Sequence, residues 1–175
     1  LDPSNSISPT TVRHPAELDG ERLHGECDIR FQRRSGPGGQ HRNKVETAVH
    51  LTHRRTGVSA QASERRQQGE NLAVALERLR IQLALDERRT WDRPSLLWTR
   101  RCGNGKLRVS RQHGDYAALL AEALDVLAQE SWQPAAAGAQ LACSSSQLVR
   151  FLQKEPAALV YVNRQRAAMG KGPLR

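Results

Sequence analysis

Aromatic residues are scarce in this sequence. Three Trp, two Tyr and two Phe make up 4% of 175 residues, and the whole hydrophobic fraction is 38%. That fraction is below the globular average but above the level at which chains stay disordered, so a modest core under a wide polar surface is expected. Long apolar runs are missing as well. No stretch approaches the ~20 apolar residues of a membrane span, which excludes a transmembrane helix. The opening residues, Leu1-Asp2-Pro3-Ser4, have neither the basic start nor the apolar stretch of a secretory signal. Cysteine is sparse and scattered. Cys27, Cys102 and Cys143 form no CxxC, and an odd, dispersed set argues against a disulfide framework. A reducing compartment, the cytoplasm, is therefore expected. His41, His50 and His53 lie close together, but no cysteine pair joins them in the paired spacing of a structural zinc site. Packing or solvated roles are the expectation for them, with no metal.

Lysine is the other rarity: of 27 basic residues, 23 are Arg and four are Lys. A GC-rich genome explains Arg over Lys, but not where the basic residues sit. Residues 1–28 hold six acidic and two basic residues, a net of −4; residues 29–111 hold seven and nineteen, a net of +12; residues 112–175 hold five and six, a net of +1. The formal charge of +9 is thus a property of the middle of the chain. Guanidinium groups bind phosphate through two parallel bonds and stack on bases, so a segment this rich in Arg points to nucleic acid.

Along the chain, residues 1–14 are rich in Ser, Thr, Pro and Asn and read as a mobile leader. Asp19 can cap a short helix through Glu26. Residues 27–31 and 48–53 alternate apolar and polar as strands do, and Arg55-Thr56-Gly57 is a turn into a matching strand over 58–62. From about Ser63 to Leu85 the period becomes helical. Leu72, Leu76, Leu79 and Leu83 form a stripe with Ala75 and Ile81 beside it, which predicts a long amphipathic helix over the sheet. Residues 96–101 and 106–110 flank Cys102-Gly103-Asn104-Gly105 and read as a second hairpin. The last third reads as helices. Asp115 is a candidate cap for the first, Pro134 opens the second, Ser144 or Ser145 caps the third, and Pro156 starts the fourth. The tight turn before Ser144 is also the pattern of a helix-turn-helix, although plain helical packing is the preferred reading because the segment lacks a basic excess. Trp91, Trp98 and Trp132 are expected in packing roles.

One stretch carries chemistry: Ser35-Gly36-Pro37-Gly38-Gly39-Gln40-His41-Arg42-Asn43-Lys44. Its glycines permit backbone angles closed to other residues and remove Cβ atoms, so such a loop can press its main chain against a ligand. Arg33, Arg34, Arg42 and Lys44 bracket an uncharged tip, an arrangement in which the flanks hold phosphates while the tip enters a narrow site. Gln40 offers a donor and an acceptor but no useful pKa, which suits orienting a water or a carbonyl. The stretch has no GxGxxG, and no GK[ST] follows it, so it is not a dinucleotide or P-loop pattern.

This stretch, followed by Thr47-Ala48-Val49-His50-Leu51-Thr52-His53, Thr56-Gly57 and Glu64-Arg65-Arg66-Gln67-Gln68, resembles the catalytic domain of class-I peptide chain release factors. The resemblance runs from roughly Asp28 to Leu85, about a third of the chain. It implies an α+β fold, with a short β-sheet covered by a long helix and, here, an all-helical C-terminal region. It also implies a domain that enters the ribosomal peptidyl-transferase centre and promotes hydrolysis of the peptidyl-tRNA ester. Carried over by position, Gly38 and Gly39 would set the loop backbone. Gln40 would stabilise the leaving 3′ oxygen through its main-chain N–H and position water with its side chain. Arg33, Arg34, His41, Arg42, Asn43, Lys44, Arg65 and Arg66 would contact ribosomal RNA. Two departures stand out: Arg42 where the family usually has Val, and Gln67-Gln68 where it has Ser-Gln.

The resemblance implies the ribosome, through large-subunit rRNA, and peptidyl-tRNA as partners, a monomer, and no metal or organic cofactor. Residues 15–111 would be the catalytic domain with its additional hairpin, and residues 112–175 a helical module. The family's codon-reading members are about twice this length. Their PxT or SPF tripeptide has no counterpart here in a suitable place, since Ser8-Pro9-Thr10 sits in the leader. Codon-independent release, as in ribosome rescue, is therefore expected. The alternative is a non-catalytic ribosome- or RNA-binding protein that retains the fold.

Overall fold

A computed structural model describes residues 13–32 and 47–175. Its order begins with a 3-10 turn at Pro15–Glu17 and a helix α1 at Gly20–Gly25. Asp19 caps α1, its carboxylate accepting from the N–H of Arg22 at 2.9 Å. Three strands follow, β1 Cys27–Gln32, β2 Ala48–His53 and β3 Ser59–Ala62, paired antiparallel in the order β1-β2-β3. Ile29 faces Leu51 and Phe31 faces Val49 across β1 and β2, while Leu51 faces Ala60 across β2 and β3. Alternation places Val49, Leu51 and His53 of β2 in the core.

Helix α2, Gln68–Asp86, crosses β2 and β3. Its buried line is Asn71, Ala75, Leu79 and Leu83, at i, i+4, i+8 and i+12, while Leu72 and Leu76 are half-buried. The inward face is thus turned by one residue from the stripe the leucines define, because a polar residue, Asn71, occupies a core position. Near its C-terminal end α2 is buried on several sides, at Ile81, Leu83, Ala84 and Leu85. There α4 and the Pro15–Glu17 turn also pack on it.

Residues 96–101 are a helix, α3 (Leu96–Arg101), and not the strand the alternation predicts. The Ser95 hydroxyl accepts from the N–H of Trp98 at 2.9 Å and starts the helix. The Trp98 indole, 1% exposed, donates to the Leu141 carbonyl at 2.8 Å and fixes it. The second hairpin is accordingly short, β4 Cys102–Gly103 against β5 Lys106–Leu107. Asn104 (φ 50°) and Gly105 (φ 71°) turn it with positive φ at both central positions, the geometry that suits a two-residue hairpin loop.

Helices α4 Tyr116–Gln129, α5 Pro134–Gln140, α6 Ser145–Leu152 and α7 Pro156–Ala168 complete the chain. Pro134 and Pro156 open α5 and α7, and the Ser144 hydroxyl caps α6 by accepting from the N–H of Gln147. Asp115 does not cap α4, because its carboxylate is taken by Arg101 at 2.6 Å. Helix α4 lies centrally, buried from Tyr116 to Ala121 and from Ala123 to Leu127. Tyr116, Phe151 and Trp98 pack ring against ring below it, with centroids 5.0 and 6.2 Å apart. The buried residues of the sheet, α2 and the C-terminal helices form one continuous hydrophobic cluster.

His14, placed in the leader by composition, is 3% exposed. One ring nitrogen accepts from the N–H of Ala16 at 3.1 Å, and the other lies 3.3 Å from the Glu87 carbonyl oxygen. Among the described residues no helix is long and apolar enough to cross a membrane.

Candidate nucleic-acid and ester site

Most of the residues singled out by the sequence, Arg33, Arg34, Gly38, Gly39, Gln40, His41, Arg42, Asn43 and Lys44, lie outside the described residues. Their attachment points are described. Gln32 ends β1, Ala48 begins β2, and the two are register partners. Residues 33–47 therefore leave and re-enter the sheet at neighbouring positions, at one end of the β1–β2 ladder.

The side of this junction nearer α2 is built around Asn71. Its carboxamide is fully buried, at 0% exposure. The NH2 donates to the Thr47 carbonyl at 2.6 Å and to the Arg65 carbonyl at 3.1 Å, and the oxygen accepts from the Arg65 N–H at 2.9 Å. One side chain thus ties the first described residue after the GGQ stretch to the turn that carries Arg65 and Arg66. A buried amide is tolerated in a core only when its donors and acceptor find partners, and here each side-chain polar atom does. Arg65 and Arg66 are both exposed, on the turn between β3 and α2. Sequence reasoning identified these two arginines and missed the asparagine that holds their turn. The available signal was a polar residue at helical spacing from Ala75 and Leu79.

The same turn is braced from below. Glu64 accepts from the Ser63 N–H at 2.9 Å and pairs with Arg78 at 2.5 Å, and Arg78 also donates to the Gln61 carbonyl at 2.8 Å. The Ser63 N–H, with Arg78 beside it, holds the Glu64 carboxyl below the usual carboxylate range. At the far end of the sheet, the buried His53 ring lies 2.8 Å from the Thr56 hydroxyl and 3.0 Å from a Glu26 carboxylate oxygen. Arg54 donates to the Cys27 carbonyl at 2.8 Å and also to the Gly25 carbonyl. These contacts fix the β2–β3 turn against α1, so His53 has a structural place.

The thiols are protected. Burial pushes Cys27 and Cys143 each up to about 11 and raises Cys102 as well, so none is poised as a nucleophile near neutral pH. Among the described residues no group of three or more His, Cys, Asp or Glu side chains could hold a metal ion. The three tryptophans serve packing. Trp98 and Trp132 are buried, and Trp91 is half-buried with its indole N–H 3.3 Å from Glu122.

Comparison with known proteins agrees with this layout. The family model described as the RF-1 domain matches residues 22–108, from α1 to just beyond β5. The chloroplastic peptide chain release factor PrfB1 of Arabidopsis thaliana is 50% identical over 70 residues, 39% of this chain and 15% of that protein. Peptide chain release factor 1 of Acidiphilium cryptum is 47% identical over 80 residues, covering 46% of this chain and 23% of that protein. Peptide chain release factor 2 of Campylobacter jejuni is 47% identical over 80 residues, covering 45% and 22%. The matching stretch spans less than a quarter of these relatives' own length. The RF-1 match contains the GGQ segment, both of its strand anchors and the Arg65–Arg66 turn. Residues 22–108 thus form an RF-1 domain, the part of this chain that is similar to peptide chain release factors.

Proposed function

We propose that this protein hydrolyses the ester of peptidyl-tRNA in the peptidyl-transferase centre of the ribosome, and that it does so without reading a codon. One observation carries the reading. The uninterrupted Ser35-Gly36-Pro37-Gly38-Gly39-Gln40-His41-Arg42-Asn43-Lys44 stretch is rooted between paired strand ends, Gln32 and Ala48, in an RF-1 domain. Adjacent roots suit a loop that must project into a partner's cavity and return.

In this reading a water oxygen attacks the ester carbonyl carbon. The bond to the tRNA 3′ oxygen breaks, and the water supplies the new acid oxygen and the proton that ends on the 3′ hydroxyl. The Gln40 main-chain N–H donates to the 3′ oxygen as charge develops on it, and the side-chain amide positions the water. Donors aimed in advance at developing charge in a dry site are the logic of an oxyanion hole. Gly38 and Gly39 supply the backbone conformation that aims the N–H. Arg33, Arg34, His41, Arg42, Asn43 and Lys44 hold rRNA around the loop, and Arg65 and Arg66 do so from the turn fixed by Asn71. Residues 15–111 form the hydrolytic unit. Residues 112–175 support it through α4, which packs on α2. The protein acts as a monomer in the cytoplasm, where ribosomes are, and uses no cofactor.

The test is peptide release from ribosomes stalled on truncated mRNA, compared with stop-codon complexes and with free peptidyl-tRNA. Release from the truncated complex, lost on Gly39→Ala, is the expected result. Ribosome binding with no release on any complex would return the alternative, an RNA-binding protein that kept the fold.

A further inference from the structure

We propose that the β4–β5 hairpin and the end of α3 form a further docking surface for structured RNA, built on Arg100, Lys106 and Arg108. Residues 93–114 contain six basic and no acidic residues. The fold gathers four of the six on one small hairpin. Arg100, Arg101, Gly103, Asn104 and Arg108 line a shallow cleft of about 310 Å³ whose wall holds three guanidinium groups and no carboxylate.

The ladder makes this gathering unfavourable in the absence of an anion. Cys102 pairs with Leu107 and Gly103 with Lys106, and just beyond this two-pair ladder the Arg108 N–H donates to the carbonyl of Arg101, the last residue of α3, at 2.9 Å. Like charges gathered on one rigid segment repel one another. Arg101 is relieved by Asp115, at 2.6 and 2.8 Å. Arg100, Lys106 and Arg108 are exposed and have no carboxylate partner among the described residues. The hairpin is held in place regardless, by Trp98 under α3 and by Leu107 and Val109 on either side of Arg108, all of them buried. A rigid site that keeps unpaired cations together is relieved by a polyanion spanning them.

The geometry selects the chemistry. The cleft is open and shallow, too exposed to enclose a single phosphate. Its cations run along a hairpin whose tip, Asn104-Gly105, is small and uncharged, so a phosphodiester backbone can approach the main chain. Arg fits phosphate oxygens with its planar fork. The choice of ribosomal RNA as that polyanion rests on the functional reading above, and the presence of a phosphate surface does not.

The test uses the full chain. The variant R100Q/K106Q/R108Q is compared with R13Q/R150Q/R175Q, which removes the same charge from exposed arginines elsewhere. Binding to isolated large ribosomal subunits and to deproteinised large-subunit rRNA is measured between 50 and 200 mM KCl. Each phosphate contact contributes about 0.7–0.9 to the slope of log affinity against log salt. The hairpin variant is expected to bind about tenfold or more weakly at low salt, with a slope smaller by about two, and the control to change much less. Unchanged melting curves establish that the variants are folded. Equal losses in both variants, or none in either, overturn the proposal. So does polyglutamate competing as well as RNA of equal charge, which makes the surface an acidic-protein site. A wild-type protein that releases no peptide yet shows hairpin-dependent rRNA binding sinks the hydrolytic reading and leaves this one standing.

Discussion

The carboxamide of Asn71 reaches a residue 24 positions away in sequence, donating to the carbonyl of Thr47 at 2.6 Å. The same group closes two further bonds, to the N–H and carbonyl of Arg65. It connects the residue that follows the GGQ stretch to the turn that carries Arg65 and Arg66. Asn71 is buried and acts through Thr47 and Arg65, so in the proposed reaction it is a positioning residue.

Asn71→Ala leaves the Thr47 carbonyl and both Arg65 main-chain groups unpartnered. Each unpaired buried group costs about 1–3 kcal/mol, so urea unfolding should show a loss of about 2–4 kcal/mol once partial exposure is allowed for. In the release assay, kcat should fall about tenfold to a hundredfold under conditions where the variant is fully folded, because small displacements of a catalytic loop are expensive. KM for the ribosomal complex should move much less. Lower stability with an unchanged kcat would make Asn71 structural only.

Gly138 lies against the turn between α5 and α6. A Cβ there would sit 2.7 Å from the Cys143 carbonyl oxygen and 3.2 Å from the Ser145 N–H nitrogen, and both atoms belong to backbone that cannot swing away. In an open helix Gly→Ala stabilises by about 0.5–1 kcal/mol. Here Gly138→Ala should destabilise instead, by about 1–3 kcal/mol from overpacking. Thermal or urea unfolding checks the sign.

Burial lowers the His14 imidazole to about 4, with Arg88, Arg89 and Arg55 adding to the effect and the Glu87 carbonyl opposing it. The unfolded ring titrates near 6.5. Between those two values the unfolded chain binds the extra proton, so His14 contributes a loss of stability as pH falls from 6.5 towards 4, up to about 1.4 kcal/mol per pH unit. Asp125 works in the opposite direction over part of this window, since burial pushes its carboxyl up to about 6 despite the Arg89 N–H and Arg88. Its raised value makes stability fall as pH rises from about 4 to 6. Comparing the wild type with His14→Asn isolates the histidine, because Asp125 is common to both. The variant should lose less stability between pH 7 and pH 4.5, measured by urea unfolding. Identical pH profiles would mean that His14 is not buried as the neutral ring.

The strands and caps were legible because their causes are local. The alternation over 48–53, the carboxylate of Asp19 and the prolines at 134 and 156 act within a few residues. Helix α3 was not legible, since six residues, Leu96 to Arg101, are too few to show a helical period. The cap that starts it, Ser95, stood next to an apolar pair that also reads as strand. Asp115 looked like a cap and was drawn away by Arg101, fourteen positions earlier, a competition no local pattern reveals. The GGQ stretch was legible as a motif because its residue types are rare in that order. Asn71 was not, since its partner Thr47 lies 24 positions away, just before β2. The main-chain bond between Arg108 and Arg101 became visible only in the fold, since a two-residue ladder leaves no period in the sequence.

The central claim is tested most directly by measuring single-turnover peptide release from ribosomes carrying peptidyl-tRNA on truncated mRNA, with wild type, Gly39→Ala and Gln40→Ala. The account predicts release by the wild type at a rate independent of any stop codon. It predicts a fall of about 10²–10³ for Gly39→Ala, the scale of losing one oxyanion-hole donor, and a smaller fall for Gln40→Ala, whose main-chain N–H remains. Release that depends on a stop codon would contradict codon independence, and equal, mild effects of the two substitutions would contradict a catalytic role for the loop.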